Sequence, residues 1–131
     1  MQQTTTWLSA LICTVSATTA FAQSPENNAA PDYEKMVNAA IAFLGEKGQA
    51  DDGSYSSFAG IGPTALATTA LMHHGRTPAD PQVAKSLKYL EGFVQRDGGI
   101  HQEGTFIRNY ETCLVIMCLA AANADGRYDE Q

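Results

Sequence analysis

The sequence has little positive charge, few cysteines and no long apolar run after its first residues. Lys and Arg number 8 against 14 Asp and Glu, which gives a formal net charge of −6 at pH 7. Nucleic-acid-binding domains carry basic surfaces that match phosphate, so this balance argues against a nucleic-acid partner. Beyond Cys13, the cysteines are Cys113 and Cys118, which lie on one predicted helix at a spacing that cannot bridge. Disulfides are therefore excluded as the main constraint, and we interpret both thiols as buried apolar groups.

The first 22 residues have the pattern of a cleaved signal peptide. A short apolar core precedes Ala20-Phe21-Ala22, the small-x-small form of a cleavage site. The segment contains no Lys or Arg, and its core is too short and too rich in Thr and Ser for a membrane span. Ile12 before Cys13 argues against a lipoprotein signal. We therefore expect an exported protein, periplasmic or extracellular, with no membrane span after cleavage.

The rest of the chain predicts four helices joined by polar turns. A polar linker, residues 23–31, leads into apolar residues at 3.6-residue spacing, which predicts an amphipathic helix capped by Asp32. The next helix opens at Pro63 and is apolar or small nearly all round, so we expect it to be buried on every side. The second half repeats this order, with Asp80 as the N-cap of its first helix. The predicted helices cover residues 33–46, 63–74, 81–96 and 108–123.

The two halves are predicted to be divergent copies of one unit of about 46 residues. Matching residues recur at a nearly constant offset, which is 46 for Leu44 and Leu90, 45 for Asp52-Gly53 and Asp97-Gly98, and 48 for Leu66 and Leu114. Repeat one covers about 33–75 and repeat two about 80–125, within a segment 32–131. Units of this size indicate stacked helical hairpins. One helix of each pair has no wet face, which predicts an all-α fold: a segment of an α/α toroid with the apolar helices inside.

Several motifs recur in both halves. They are A-I-A-F-L (40–44), Gln49, D-G-S-Y (52–55) and G-I-G-P-T-A-L-A-T-T-A-L (60–71), with looser copies in S-L-K-Y-L (86–90), Gln95, D-G-G (97–99) and Y-E-T-C-L-V-I-M-C-L (110–119). Over residues 35–125 they resemble the prenyltransferase and squalene oxidase repeat of the terpenoid cyclase/protein prenyltransferase superfamily. The resemblance implies an (α/α)6 toroid of about six hairpins, of which this chain supplies two. We therefore expect a fragment or a subunit that needs further repeats or a partner chain.

The catalytic motifs of that superfamily have no match in this sequence. The cyclase motif Asp-x-Asp-Asp is absent, and Asp51-Asp52 precedes Gly53 in a pattern typical of a tight turn. The prenyltransferase zinc set uses an Asp-x-Cys pair, whereas Cys113 follows Glu111-Thr112, so Cys113 is only a weak metal candidate. The thioester run Gly-Cys-Gly-Glu-Gln of complement-type toroids is also absent. We expect no resident metal and no cofactor.

A ligand site is predicted where the apolar helices begin. Gly60-Ile61-Gly62 places free N–H groups before Pro63, which is a weak anion site, and Arg108 opens the fourth helix at the corresponding end. The candidate ligand-binding residues are Tyr55, Thr64, Arg108, Tyr110 and Glu111. The alternative for all of them is that they form capping and turn hydrogen bonds.

Three functions remain open at this point. The leading hypothesis is a non-catalytic scaffold that binds a partner or a hydrophobic small molecule. The second is a fragment of a terpenoid-cyclase-like or prenyltransferase-like enzyme whose catalytic repeats lie elsewhere; export argues against it, since the substrates of those enzymes are normally met inside the cell. The third is a carbohydrate-active toroid, which needs paired carboxylates across a cleft.

Overall fold

A computed structural model describes residues 31–129; the predicted signal peptide, 1–22, and linker residues 23–30 lie outside this range. The helices are α1 (Pro31–Phe43), α2 (Gly62–His73), α3 (Pro81–Glu91) and α4 (Arg108–Ala122). A π-helical turn, Leu44–Gly48, extends α1, and a 3-10 turn, Ser57–Ala59, precedes α2. No strand occurs in the described range, which has only two isolated antiparallel bridges as extended pairing. The prediction of an all-α fold is confirmed.

Most predicted helix ends agree with the structure to within two or three residues, and α3 is the exception. It ends at Glu91, five residues before the predicted position. Beyond Gly92 the backbone closes tighter turns, in which the Phe93 N–H donates to the Leu90 carbonyl over 3.1 Å. Val94 then becomes extended and pairs with Ile100. The pairing of Val94 with Ile100 therefore replaces the helix that the apolar spacing predicted as far as Arg96.

Of the two predicted N-caps, Asp32 is wrong and Asp80 is confirmed in position only. Helix α1 begins at Pro31, ahead of Asp32, because proline suits the first helical position, where its missing N–H costs nothing. Asp80 stands at the N-cap of α3, but its side chain does not cap that helix. Its carboxylate instead accepts hydrogen bonds from the N–H and the hydroxyl of Thr77, and the N–H bond lowers the pKa of Asp80.

The core lies between α2, α3 and α4, because α2 packs against both of the others. Helix α1 contributes Ile41 to it. The buried apolar residues are Ile41, Tyr55, Ile61, Ala65, Leu71, Val83, Leu87, Leu90, Ile100, Val115, Cys118, Leu119, Ala122 and Tyr128. Burying one large aliphatic side chain of this kind contributes about 1.5–3 kcal/mol. None of the helices within residues 31–129 is long and apolar enough to cross a membrane.

The expectation that the second and fourth helices are buried on every side is wrong for this chain. Leu66 on α2 is 51% exposed, and Ile116 and Met117 on α4 are 52% and 63% exposed. Cys113 on α4 is exposed as well, so only Cys118 is the buried thiol that we expected. Each helix packs well on one side and leaves an apolar stripe open on another.

Candidate functional site

The turns that precede α2 and α4 are built in the same way. The Asp52 carboxylate accepts a hydrogen bond from the Ser54 N–H at 2.9 Å, and the Asp97 carboxylate accepts one from the Gly99 N–H at 3.0 Å. The glycine between each pair has a positive φ, 93° in the first turn and 85° in the second. The Ser54 hydroxyl also donates to Asp52 over 2.7 Å and thereby lowers the pKa of that carboxyl. The interpretation of Asp51-Asp52 as turn residues is confirmed.

A threonine on each apolar helix clamps the residue that follows each turn. The Thr64 hydroxyl accepts from the Tyr55 N–H at 2.9 Å and donates to the Tyr55 carbonyl at 3.4 Å. The Thr112 hydroxyl accepts from the Ile100 N–H at 3.1 Å and donates to the Ile100 carbonyl at 3.2 Å. We call each arrangement a threonine clamp. Two predicted ligand residues, Tyr55 and Thr64, are therefore hydrogen-bonded to each other. Burial raises the pKa of the Tyr55 hydroxyl.

Glu111 is a buried carboxylate that ties the loop before α2 to the loop before α4. One oxygen accepts from the Gln102 N–H at 2.9 Å and the other from the Ile61 N–H at 3.4 Å. A Cβ atom at Gly60 would collide with this carboxylate, so only glycine allows the approach. The positive N-terminal end of α2 also favours a negative group at this position. Both oxygens of Glu111 are therefore committed to holding the backbone.

Arg108 and Tyr110 lie apart from this buried network. Both are exposed, and they line a shallow depression of about 600 Å³ formed by residues 105–110. The Tyr110 ring lies against α2: a Cβ atom built at Gly62 would be 3.3 Å from the ring. The structure therefore brings Tyr55 to Thr64 and Glu111 to the start of α2, but it does not converge all five predicted residues on one ligand.

Cys113, the weak metal candidate, has no cluster around it. Within residues 31–129, no group of three or more His, Cys, Asp and Glu side chains is placed to hold a metal ion. The second cysteine of the helix, Cys118, is buried, and burial raises the pKa of its thiol. A raised pKa favours the neutral thiol, which is the less reactive form.

Three residues of this region were missed in the sequence analysis. Thr112 completes the second clamp, and its offset of 48 from Thr64 matches the offset of Leu66 and Leu114. Phe58 and Phe106 also lie 48 residues apart, immediately before α2 and α4, and they are 93% and fully exposed. All three could have been found by applying the offset to every residue instead of to a few matching motifs.

The structure shows an all-α protein whose two halves make matching hydrogen bonds at the Asp-Gly turns and the threonine clamps. No family model matches the chain. No curated protein and no solved structure matches it either. The resemblance to the prenyltransferase and squalene oxidase repeat therefore stays a prediction from the sequence motifs.

Proposed function

We propose that this chain is a non-catalytic scaffold, made of two helical-hairpin repeats from an exported α/α toroid of the prenyltransferase/squalene-oxidase-repeat type. The observation that supports the proposal most is the duplication of the Asp-Gly turn and of the threonine clamp. The turns recur at an offset of 45 residues and the clamping threonines at 48, which are the offsets of the sequence motifs. A hydrogen-bond pattern that repeats with the sequence is typical of repeat architectures.

The state of the predicted site residues favours a scaffold over an enzyme. A general acid, base or nucleophile must reach its substrate within hydrogen-bonding distance. Tyr55, Thr64 and Glu111 are buried instead, and their polar atoms are bonded to the backbone or to Gln82. No buried side-chain nitrogen or oxygen in the described part of the chain lacks a partner. The polar groups at this end therefore fix the loops in place.

The open apolar stripes of α2 and α4 supply the binding surface of the scaffold. Contiguous exposed apolar side chains mark interaction sites in soluble proteins. Leu66 on α2 and the neighbouring residues Ile116 and Met117 on α4 are exposed, and they lie on helices whose other sides form the core. Further helical hairpins of the same kind are the partners that such faces fit, since each hairpin of a repeat protein buries its faces against its neighbours.

A photo-cross-linking experiment in producing cells tests the proposal. The photoreactive residue p-benzoylphenylalanine replaces Met117 in one variant and Lys88, which is exposed on α3, in a matched control. We expect irradiation to join the chain to protein through position 117 and not through position 88, with the product identified by mass spectrometry. The absence of any cross-linked protein from position 117 would contradict the scaffold proposal.

A further inference from the structure

We propose that the open face of α4 binds α2 of a second copy of this chain, head to tail, and that α1 of that copy covers the turn at Gly98. This inference rests on the proposed repeat scaffold and names its partner. Helices α2 and α4 pack against each other inside one molecule. The same kind of contact can form between α4 of one molecule and α2 of another.

The internal contact is defined by small residues on α2 and larger ones on α4. A Cβ atom at Gly62 would be 3.3 Å from the side chains of both Leu114 and Tyr110. Two turns further along α2, the Thr69 side chain is close enough to Cys118 on α4 to influence the pKa of its thiol. The α2 side of this interface therefore runs through Gly62 and Thr69, and the α4 side through Leu114 and Cys118.

The offset of 48 residues carries the α2 side of this interface onto α4. The counterparts of Gly62 and Thr69 are Tyr110 and Met117. Tyr110 also touches Gly62 of its own chain but is still 54% exposed, and Met117 is 63% exposed, whereas Gly62 is buried and Thr69 is half-buried. Ala65, which lies between them on the same side of α2, is fully buried, whereas its counterpart Cys113 is exposed. The residues that α2 buries against α4 therefore have counterparts on α4 that are exposed.

The same offset carries the α4 side of the interface back onto α2. The counterparts of Leu114 and Cys118 are Leu66 and Ala70, and both are exposed. One molecule therefore presents both halves of a second interface of the same kind, one on α4 and one on α2. In a head-to-tail pair, Met117 of one copy would meet the small Ala70 of the next, as Thr69 meets Cys118 inside the chain.

The first turn shows what covers a turn when a following hairpin is present. A Cβ atom at Gly53 would collide with the Lys85 carbonyl, so the backbone of α3 sits directly on this glycine. The Gln49 amide spans the gap, donating to the Gln82 carbonyl at 2.7 Å and to the Ser86 hydroxyl at 2.9 Å. Helix α3, the outer helix of the second half, thus closes the turn of the first.

The second turn, at Gly98, has the same geometry, but no helix of the described residues packs on its glycine. No heavy atom lies within 4 Å of a Cβ atom built at Gly98. The Gln95 amide, the counterpart of Gln49, bonds only the carbonyls of its own loop, Phe93 and His101. A cleft of about 190 Å³ lies beside Gly98, lined by Ile100, Ile116, Leu119 and Ala120 together with Asn123 and Tyr128.

Helix α1 is the counterpart of α3 and is the element that fits this cleft. With the offset of 46 residues, Met36 and Ala39 correspond to Gln82 and Lys85, the residues that cover the first turn. Both Met36 and Ala39 are exposed in the single chain. Inside one molecule, α4 packs on α2 and α3 covers Gly53. In the same way, when α2 of a second copy packs on α4, α1 of that second copy covers Gly98.

A contact of this kind is heterologous, because two different surfaces of one chain meet. Heterologous contacts close into rings when the rotation between copies permits and otherwise extend into arrays. They differ from a two-fold dimer, in which the same residue meets itself across the axis. This difference gives the inference a sharp test.

Two variants that each gain one exposed cysteine, with the native Cys118 left buried, distinguish these arrangements. Met117→Cys and Ala70→Cys are each made with Cys113→Ser, which removes the exposed native thiol from the same face. We expect mild oxidation of the mixture to give a disulfide between the two variants, and neither variant alone to form one. A disulfide in Met117→Cys alone would show a two-fold contact and overturn the head-to-tail arrangement. No disulfide in the mixture would overturn it as well.

Sedimentation equilibrium supplies the second measurement, with Met117→Glu as the disrupting variant and Phe106→Glu as the control. A charge at position 117 should weaken self-association about tenfold or more. Phe106 should have no effect, because its counterpart Phe58 stays 93% exposed although the second half packs beside it. Wild-type protein that is monomeric at every concentration would overturn the inference.

The two proposals fail in different ways. If the cross-link from position 117 joins this chain to a different protein, the scaffold proposal holds and the second copy is excluded as its partner. If the cross-linked product contains two copies of this chain, the scaffold proposal holds, and the cysteine mixture decides whether the copies meet head to tail. If position 117 joins to no protein, both are overturned.

Discussion

The substitution Glu111→Gln tests whether the buried carboxylate is a structural tie. A carboxylate can accept both of the bonds seen here, from the Gln102 N–H at 2.9 Å and from the Ile61 N–H at 3.4 Å. Glutamine has one acceptor oxygen, so its NH₂ group must face one of these two N–H donors. We expect the shorter bond to be kept and the Ile61 N–H to be left buried and unpaired.

The expected cost follows from these two changes. A hydrogen bond to a charged group contributes about 1.5–3 kcal/mol, and an unsatisfied buried donor costs about 1–3 kcal/mol. Because the lost bond is the long one, we expect the free energy of unfolding to fall by about 2 kcal/mol. Urea unfolding followed by circular dichroism at pH 7 measures it, at fixed protein concentration and with the slope against denaturant checked for constancy.

The matched control is Glu103→Gln, which removes the same charge from an exposed position of the loop before α4. Surface substitutions of this kind usually change stability by less than about 0.5 kcal/mol. If Glu111→Gln unfolds at the same urea concentration as the wild type, the carboxylate is not a structural tie. The argument against a chemical role for this residue would then fall with it.

The remaining predictions concern the duplicated turns and the approach of the two loops. Gly60→Ala should lower the free energy of unfolding by about 2–5 kcal/mol, because the positive φ and the collision with Glu111 both cost energy. Gly75→Ala, which has a positive φ but open space, should lower it by about 1–2 kcal/mol in the same urea assay. Equal losses would refute the collision. Thr64→Val should lower the free energy of unfolding by about 2–3 kcal/mol, because it leaves the buried N–H and carbonyl of Tyr55 without this partner. Thr112→Val should lower it by about 1 kcal/mol, because water reaches the half-buried site of Thr112. The reverse order would contradict the role of the threonine clamps. The pKa of Asp52 lies below its ordinary value of 3.8, so its contribution is present above that pH and is lost as the pH falls through the folded pKa. The difference in melting temperature between wild type and Asp52→Asn should therefore shrink as the pH is lowered from 6 to 2, and a constant difference would count against it.

Local chemistry made much of the fold predictable. The starts of α2, α3 and α4 follow from proline positions and apolar spacing, and the turn at Asp52 follows from the preference of Asp and Gly for tight turns. These features depend on residues within a few positions of each other. For the same reason the all-α class could be read from the sequence.

The features that were mispredicted depend on contacts that the apolar pattern does not contain. Helix α3 ends before Val94, which pairs with Ile100 across the turn at Gly98, although the apolar spacing continues. The tie made by Glu111 needs Ile61, 50 residues away, and the small Gly60 beside it. The exposure of Cys113 depends on which helix packs beside α4, and apolar composition indicates only that some neighbour is wanted.

Thermal unfolding at several protein concentrations tests most directly whether the open helix faces take another copy. The purified protein is melted over a hundredfold range of concentration and followed by the circular dichroism of its helices. Association of folded chains stabilises them by mass action, so the melting temperature should rise with concentration, and Met117→Glu should abolish the rise. A melting temperature that is independent of concentration for both proteins would contradict the proposed self-association.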